Sequence, residues 1–290
     1  MLDLLATTPW LVYLLAILLG LMVGSFLNVV IYRLPLMLRR DWHQECCEFL
    51  GLEKSSLPSD MVEDGFNLAV PRSACPQCQQ PISAWHNIPV LSYVCLGGKC
   101  HHCKHAIAMR YPIVEALTGL LSLFAAIHFG FSGQLAGALL LIWGLIALSF
   151  IDIDHQLLPD NLTYPLLWLG LLFNLQHTFT DISTAVIGAI AGYMSLWLVM
   201  QAYRLMTGKA GMGYGDFKLL AVLGAWLGWQ YLPLIMLLSA LCGVVLGGLH
   251  LLLSRQSRHT PIPFGPYLAT AGIIALLYGP SLLQSYGHYY

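Results

Sequence analysis

Charged residues are scarce in this chain, and their scarcity excludes several classes of protein. Lys, Arg, Asp and Glu make up only 9% of the 290 residues, whereas hydrophobic residues make up 58%. A soluble globular domain carries roughly one-quarter charged residues, so this composition indicates a membrane protein that has the lipid bilayer as a partner. The formal net charge of -1 provides no basic excess, so no nucleic-acid partner is expected. A disordered chain is excluded by the high apolar content.

Motifs of several well-known enzyme classes are also absent from the sequence. There is no H-E-x-x-H pattern of a zinc metalloprotease and no G-x-S-x-G elbow of a serine hydrolase. There is also no G-x-G-x-x-G fingerprint of a Rossmann-type nucleotide site. Any enzymatic chemistry must therefore come from other side chains.

Long apolar stretches predict an all-α polytopic membrane protein. A spanning helix needs roughly 20 apolar residues to cross a hydrocarbon core of about 30 Å. We predict about eight transmembrane helices, of which the sixth is short for a span. Their segments are 9–32, 112–131, 134–153, 158–177, 182–206, 217–230, 233–253 and 264–286.

The charges divide the chain into three parts. Residues 33–110 hold eight of the thirteen Lys and Arg residues and seven of the fourteen Asp and Glu residues. This predicts a first transmembrane helix within 1–33, a small cytoplasmic insert at 34–111, and a membrane domain of seven helices at 112–290. Because short cytoplasmic loops carry an excess of Lys and Arg, we predict that the N-terminus lies outside. The groups predicted to be cytoplasmic are Arg33 to Arg110, then Arg204, Lys209 and Lys218, then Arg255 and Arg258.

Four of the eight cysteines form two C-x-x-C pairs in the insert. The pairs are Cys75 with Cys78 and Cys100 with Cys103, and 21 residues separate them. This spacing is typical of a four-cysteine zinc ribbon, in which the thiolates form a closed tetrahedron around a structural metal. Disulfides are rare on the reducing side of a membrane. The insert is therefore predicted to be zinc-ribbon-like, with all four cysteines as zinc ligands.

Carboxylates near predicted helix ends are the candidate catalytic groups. Asp152 ends the long apolar run of the third segment, and Asp216 follows a glycine-rich stretch at the start of the sixth. The predicted topology places both at the cytoplasmic side. Two carboxyls that share a site cannot both ionise readily, so the pair can activate a water as general base and general acid.

Other interpretations of these acids remain open on spacing alone. Asp152 and Asp216 also fit interfacial helix-end residues beside His155 and Lys218. The acids also fit an ion or proton relay in a coupled transporter whose zinc ribbon is regulatory. Asp154 points roughly 200° away from Asp152 on a continuous helix, so those two cannot form the pair.

Two further acids fit an ordinary structural role. Glu115 and Asp160 each follow a proline at the start of a predicted helix. A negative charge there suits the positive end of the helix dipole, so both are interpreted as helix-capping acids.

Five motifs in this order resemble the type IV prepilin peptidases, a family of aspartyl membrane proteases with a GxGD element. They are Gly24-Ser25-Phe26-Leu27-Asn28-Val29-Val30-Ile31-Tyr32-Arg33-Leu34-Pro35, the two C-x-x-C pairs, Ile151-Asp152-Ile153-Asp154-His155-Gln156-Leu157-Leu158-Pro159-Asp160, Gly213-Tyr214-Gly215-Asp216-Phe217-Lys218 and Pro261-Ile262-Pro263-Phe264-Gly265-Pro266. The resemblance extends over essentially the whole chain.

The resemblance implies a bifunctional enzyme in the bacterial inner membrane. Its substrates would be type IV prepilins and pseudopilins, whose basic leader is cut at the cytoplasmic face. The new N-terminal residue would then be methylated with S-adenosylmethionine. The implied catalytic pair is Asp152 and Asp216, and the implied zinc ligands are Cys75, Cys78, Cys100 and Cys103. The resemblance assigns no residue here to the S-adenosylmethionine site.

Overall fold

The computed structural model describes residues 8–51, 66–83, 85, 88–208, 211–247 and 263–287. Helices dominate these residues, and extended pairing within them is limited to two isolated β-bridges. The prediction of an all-α fold is therefore confirmed. Three of the predicted cytoplasmic charges, Lys209, Arg255 and Arg258, lie outside the described residues.

The chain divides into two compact units, of which the first comprises Asp3–Phe124. Helix α1, Pro9–Leu50, begins with a proline in its first turn and ends at Gly51, whose left-handed φ of 64° suits a glycine. The short helix α2, Leu91–Cys95, and most of α3, Arg110–Phe129, complete this unit.

Helix α1 differs from its predicted segment, which ends at residue 32. The helix continues through Pro35 as far as Leu50. Residues 36–50 are rich in Leu, Met, Arg and Glu, which favour helix, and a single proline removes only one backbone hydrogen bond. The hydropathy of the segment therefore predicts its membrane part but not the polar helical extension.

Small residues bring α1 and α3 together within the first unit. A Cβ atom on Gly24 would lie 2.8 Å from the Cα of Glu115, and one on Gly20 would lie 2.5 Å from the Oγ of Ser122. Helices in membranes associate through such small residues because lipid gives no hydrophobic driving force between them. The glycines of α1 thus set the close packing of this pair.

The second unit comprises Ala125–Tyr290 and holds the remaining helices. Ser132 accepts the N–H of Leu135 and so caps the first of them. In chain order they are α4 (Gly133–His155), α5 (Asp160–Asn174), α6 (Ile182–Thr207), α7 (Tyr214–Leu227), a 3-10 turn (Trp229–Tyr231), α8 (Leu232–Cys242) with a π-helical turn (Gly243–Gly247), and α9 (Gly265–Gly287).

Each of the eight predicted segments overlaps one of these long helices. Among the described residues, five helices are long and apolar enough to cross a membrane, namely α1, α3, α4, α6 and α9. Helices α5, α7 and α8 contain 15, 14 and 11 residues. The multi-pass membrane fold follows from these helices, whereas eight crossings stay a prediction.

Helix α7 forms the core of the second unit. Every residue from Leu219 to Leu227 is buried, as is Phe217. Helices α5, α6 and α9 all pack against it. Its last carbonyls are also satisfied by protein, because the Nδ2 of Asn174 donates to Ala225 and Trp226 at 2.8 and 3.0 Å. The segment that is shortest by hydropathy is thus the one most enclosed by other helices.

The tightest contact of this core joins α6 and α7. The backbones meet at Gly188 and Gly224, where a Cβ atom on either residue would collide with the carbonyl of the other. One turn away, a Cβ on Gly192 would lie 2.6 Å from the carbonyl oxygen of Leu220. No flexible side chain can move aside here, so the contact requires glycine.

We expect Gly224→Ala to lower the free energy of unfolding by about 1–3 kcal/mol, because the new methyl group overpacks a backbone contact. Thermal unfolding of the protein in detergent measures this loss. Gly133→Ala is the matched control, since a Cβ on this exposed helical glycine meets nothing within 4 Å. A Gly224→Ala protein as stable as the control would contradict the packing described here.

Candidate active site and metal centre

Asp152 lies in the last turn of α4 and is buried, with 6% of its surface exposed. The helix ends just after it, where Gln156 adopts a left-handed φ of 51° and donates its N–H to the carbonyl of Asp152 at 2.9 Å. The side-chain Oδ2 of Asp152 accepts a hydrogen bond from the N–H of Gly265, also at 2.9 Å. A buried carboxyl group is therefore held at the junction of α4 and α9.

Asp216 lies in the first turn of α7 and is partly buried. The neighbouring Gly215 and the residue that donates to Asp152, Gly265, both lie against the side chain of Leu158, which brings the two acids into one region. The end of α4 and the start of α7 thus place two like-charged groups together inside one unit. Such a pair can share a proton and hold a water between them.

Of the charged residues near the two acids, Lys218 contacts the start of α5. The ammonium group of Lys218 donates to Oδ1 of Asp160 at 2.6 Å and stands 5.1 Å from the centre of the Tyr164 ring. Asp154 is exposed and lies two residues beyond Asp152. Lys218 therefore joins α7 to the start of α5. Asp160, predicted to cap a helix, also forms this ion pair.

The four cysteines of the insert come together in the first unit. Their Sγ atoms all lie within 4.8 Å of one another, and those of Cys75 and Cys103 are 3.8 Å apart. A tetrahedral site with metal–sulfur bonds of about 2.3 Å has sulfur–sulfur edges of about 3.8 Å. The cluster therefore fits a metal ion held entirely by thiolates, as the spacing of the two pairs predicts.

The two cysteine pairs have the same local backbone. In the first, the N–H of Cys75 donates to Gln80 and the N–H of Gln79 donates back to Cys75. The second pair repeats this pattern, because the N–H of Cys100 donates to the carbonyl of His105 and the N–H of Lys104 donates to the carbonyl of Cys100. Gln79 and Lys104 have left-handed φ values of 55° and 58°. Each loop is closed by one isolated β-bridge, Ala74 with Pro81 and Lys99 with Ala106.

The loop backbone also prepares the sulfur atoms for a cation. Backbone N–H groups, first that of Cys78, lower the pKa of the Cys75 thiol to about 6. The N–H of His105 acts in the same direction on Cys103, but desolvation and the three neighbouring thiols raise the pKa of Cys103 to about 11. Four thiolates this close together therefore require a positive ion between them.

Glu115 has a partner that its helix-capping interpretation does not anticipate. Its Oε2 accepts the N–H of Val90 at 2.8 Å, and the side chain of Ser25 lies beside the same carboxylate. Val90 precedes α2 with a φ of 58°, which is a rare conformation for a β-branched residue. The contact with Glu115 of α3 stabilises this backbone conformation of Val90. A tertiary contact of this kind leaves no local signal in the sequence.

Two more polar side chains of α1 contact the insert and its exit into α3. The Nδ2 of Asn28 donates to the carbonyl of Tyr111 at 3.1 Å. The guanidinium of Arg33 donates to the carbonyls of Asn67 and Pro71 at 2.8 and 2.7 Å. Both side chains are buried, at 8% exposure. The sequence motif from Gly24 to Pro35 carries these residues, but composition alone gives them no role.

Comparison with known proteins places this architecture in a family. The chain is 54% identical to a protein of Stutzerimonas stutzeri named prepilin leader peptidase/N-methyltransferase, over 98% of this chain and 96% of that protein. This chain belongs to the type IV leader peptidase family. The sequence pattern described as Type IV leader peptidase family matches residues 139–248, which include both Asp152 and Asp216. The pattern described as Bacterial Peptidase A24 N-terminal domain matches residues 18–129, which include the four cysteines.

Other family members with the same name are similar over nearly their full length. The Pseudomonas aeruginosa protein is 55% identical over 99% of this chain and 97% of its own length. The Legionella pneumophila protein is 48% identical over 97% of this chain and 96% of its own length. No solved structure matches the chain.

We expect the purified protein to bind one metal ion per chain and Cys75→Ser to lose it, because three thiolates leave the tetrahedron open. Elemental analysis of the metal-to-protein ratio measures this. Cys95→Ser is the matched control, since Cys95 is an exposed cysteine between the two pairs. An unchanged ratio in Cys75→Ser would contradict the assignment of this cluster.

Proposed function

We propose that the chain is an aspartic endopeptidase of the bacterial inner membrane. It removes the basic leader of type IV prepilins and pseudopilins at the cytoplasmic face. It then methylates the new N-terminal residue, with S-adenosylmethionine as the methyl donor. The names of relatives about 50% identical over nearly the whole chain support both activities.

The observation that supports the peptidase proposal is the placement of Asp152 and Asp216 at the ends of two helices of the second unit. Leu158 packs against Gly215, next to Asp216, and against Gly265, which donates to Asp152, so both acids border one cluster. In hydrolysis, one carboxylate takes a proton from water while the water oxygen attacks the scissile carbonyl. The other carboxyl donates its proton to the departing amide nitrogen.

Zinc is the proposed metal of the four-cysteine cluster. Cys75, Cys78, Cys100 and Cys103 would hold it, and a bound zinc would cross-link the two loops of the insert. Because four thiolates complete the coordination, no position remains for a substrate or water. Methyl transfer is assigned to the insert, residues 34–111, by resemblance to the family.

The positive charges of the described chain support the cytoplasmic location of the site. Lys218 lies two residues after Asp216 on α7, and Arg204 lies in the last turn of α6. Excess Lys and Arg mark cytoplasmic loops. The transporter alternative has no support from the relatives, which are all named as peptidases and methyltransferases.

We expect Asp152→Asn and Asp216→Asn each to reduce prepilin cleavage by at least about a thousandfold, because each removes one partner of the proton exchange. The measurement is the mobility shift of a prepilin incubated with membranes that contain equal amounts of each variant. Asp154→Asn is the matched control, as an exposed acid on the same helix. Full cleavage by either catalytic variant would refute the peptidase mechanism.

The role proposed for zinc predicts a separation of the two activities. In folded Cys75→Ser protein, we expect cleavage to persist and methylation of the product to fall, since the metal lies in the insert and not among the carboxyls. Mass spectrometry of the mature pilin N-terminus measures the methylated fraction. If a chelator abolishes cleavage while the fold stays intact, the metal takes part in proteolysis and this assignment is wrong.

A further inference from the structure

The first residue of α9 donates a backbone hydrogen bond to one of the two carboxyl groups. The proposed mechanism does not yet include this donor. Gly265 is the first residue of α9, and its N–H donates to Oδ2 of Asp152 at 2.9 Å in a buried hydrogen bond. The two residues are 113 positions apart in sequence. This contact is therefore made only by the tertiary fold.

The N–H of Gly265 is the available donor at this helix end. The first N–H groups of any helix have no partner within the helix. Here Pro266 has no N–H, while the N–H groups of Tyr267 and Leu268 donate to the carbonyl of Phe264. The donor of Gly265 thus points outward from the positive end of the α9 dipole, where a negative charge is stabilised.

The residue at this position must be small. A Cβ atom on Gly265 would lie 2.7 Å from Oδ2 and 3.2 Å from Cγ of Asp152. Since the backbone of Gly265 is not in the left-handed region, glycine is needed here for space and not for conformation. Any side chain would push the carboxyl group away from its donor.

Leu158 packs against the glycine beside each carboxyl. A Cβ on Gly215, next to Asp216, would lie 2.9 Å from the Cβ of Leu158. A Cβ on Gly265 would lie 3.3 Å from Cδ2 of the same leucine. Leu158 is buried, at 8% exposure, in the connection that follows Asp152. One side chain therefore joins the three chain segments that meet at the pair.

We propose that Gly265 and Leu158 are positioning residues of the cleavage site, and that their contacts make Asp152 the general base and Asp216 the general acid. The proposal rests on the proposed function. The N–H bond stabilises negative charge on Asp152 and holds Oδ2, which leaves Oδ1 to receive a proton. Leu158 keeps the start of α7, and with it Asp216, in register with this carboxylate.

The assignment gives a balanced hydrolytic step. Oδ1 of Asp152 takes a proton from water as the water oxygen bonds to the scissile carbonyl carbon. Asp216 gives its proton to the amide nitrogen as the carbon–nitrogen bond breaks. The peptide leaves as an acid and an amine, and transfer of the proton from Asp152 to Asp216 restores the starting state.

Gly265→Ala tests the backbone contact directly. We expect kcat for prepilin cleavage to fall about ten- to a hundredfold, the range of a lost hydrogen bond to a charged group. KM should change less than about threefold, because the substrate surface is untouched. Gly272→Ala is the control, since Gly272 also lies on α9 and its Cβ would crowd only the side chain of Leu223 on α7. Its kcat should match wild type when each protein is assayed below its own melting temperature.

A second pair of variants tests the packing and decides the matter if Gly265→Ala does not accumulate in folded form. Leu158→Ala and Leu166→Ala remove the same volume from sites with 8% and 6% exposure. Leu166 packs against Gly144 of α4. Both variants should lower the melting temperature, but only Leu158→Ala should also lower kcat, by about tenfold with KM nearly unchanged.

The outcomes separate this inference from the proposed function. A Gly265→Ala enzyme with wild-type kcat, or equal kcat losses in Leu158→Ala and Leu166→Ala, would overturn the positioning roles while leaving the peptidase proposal intact. If Asp152→Asn itself cleaves prepilin normally, the proposed function fails first. A selective kcat loss in Gly265→Ala, or in Leu158→Ala alone, supports the inference.

Discussion

The proposed peptidase chemistry requires two carboxyl groups to share one site, and packing in the second unit brings the helix ends that carry them to a common side chain, Leu158. Two negative charges repel each other, and partial burial strengthens the repulsion. The local conformational preferences of the two segments therefore cannot bring the carboxyl groups together. The positions of Asp152 and Asp216 come instead from the ends of α4 and α7, which the surrounding helices hold in place. Packing of the surrounding helices therefore offsets the repulsion between the two carboxyl groups. One backbone N–H at the start of α9 also stabilises Asp152.

Close backbone packing makes that arrangement rigid. Helix α7 is short for a membrane span, yet its residues are enclosed by α5, α6 and α9. The glycine contact between α6 and α7 permits this enclosure because it removes the space that side chains would occupy. At the other end of α7, the glycines beside the acids serve the same purpose with Leu158. Close packing in the core and around the acids thus has one common cause, the absence of a Cβ atom at these glycines.

The first unit contains a polar segment that has little apolar core of its own, so other interactions must hold it in one conformation. A four-thiolate cluster closes two loops of the same geometry. Buried polar side chains of α1 then donate to backbone carbonyls within the insert, through Arg33, and at its exit into α3, through Asn28. Glu115 holds the unusual turn at Val90 between the cysteine pairs. A four-cysteine cluster able to hold a metal ion, together with a few hydrogen bonds with α1 and α3, takes the place of the hydrophobic core that a small segment lacks.

The sequence by itself determined the all-α membrane architecture, the helical segments and the cysteine cluster. Each of these is encoded locally, by apolar run length or by the spacing of ligands along the chain. The sequence also singled out Asp152 and Asp216. Burying an ionisable side chain in a membrane costs free energy, and the motifs around both acids resemble those of a known family. Only the tertiary structure decided that α7 is the core of the second unit, that Gly265 donates to Asp152, and that Leu158 packs against Gly215 and Gly265. These features depend on contacts between residues far apart in sequence, and no periodicity or composition along the chain records which backbones will touch.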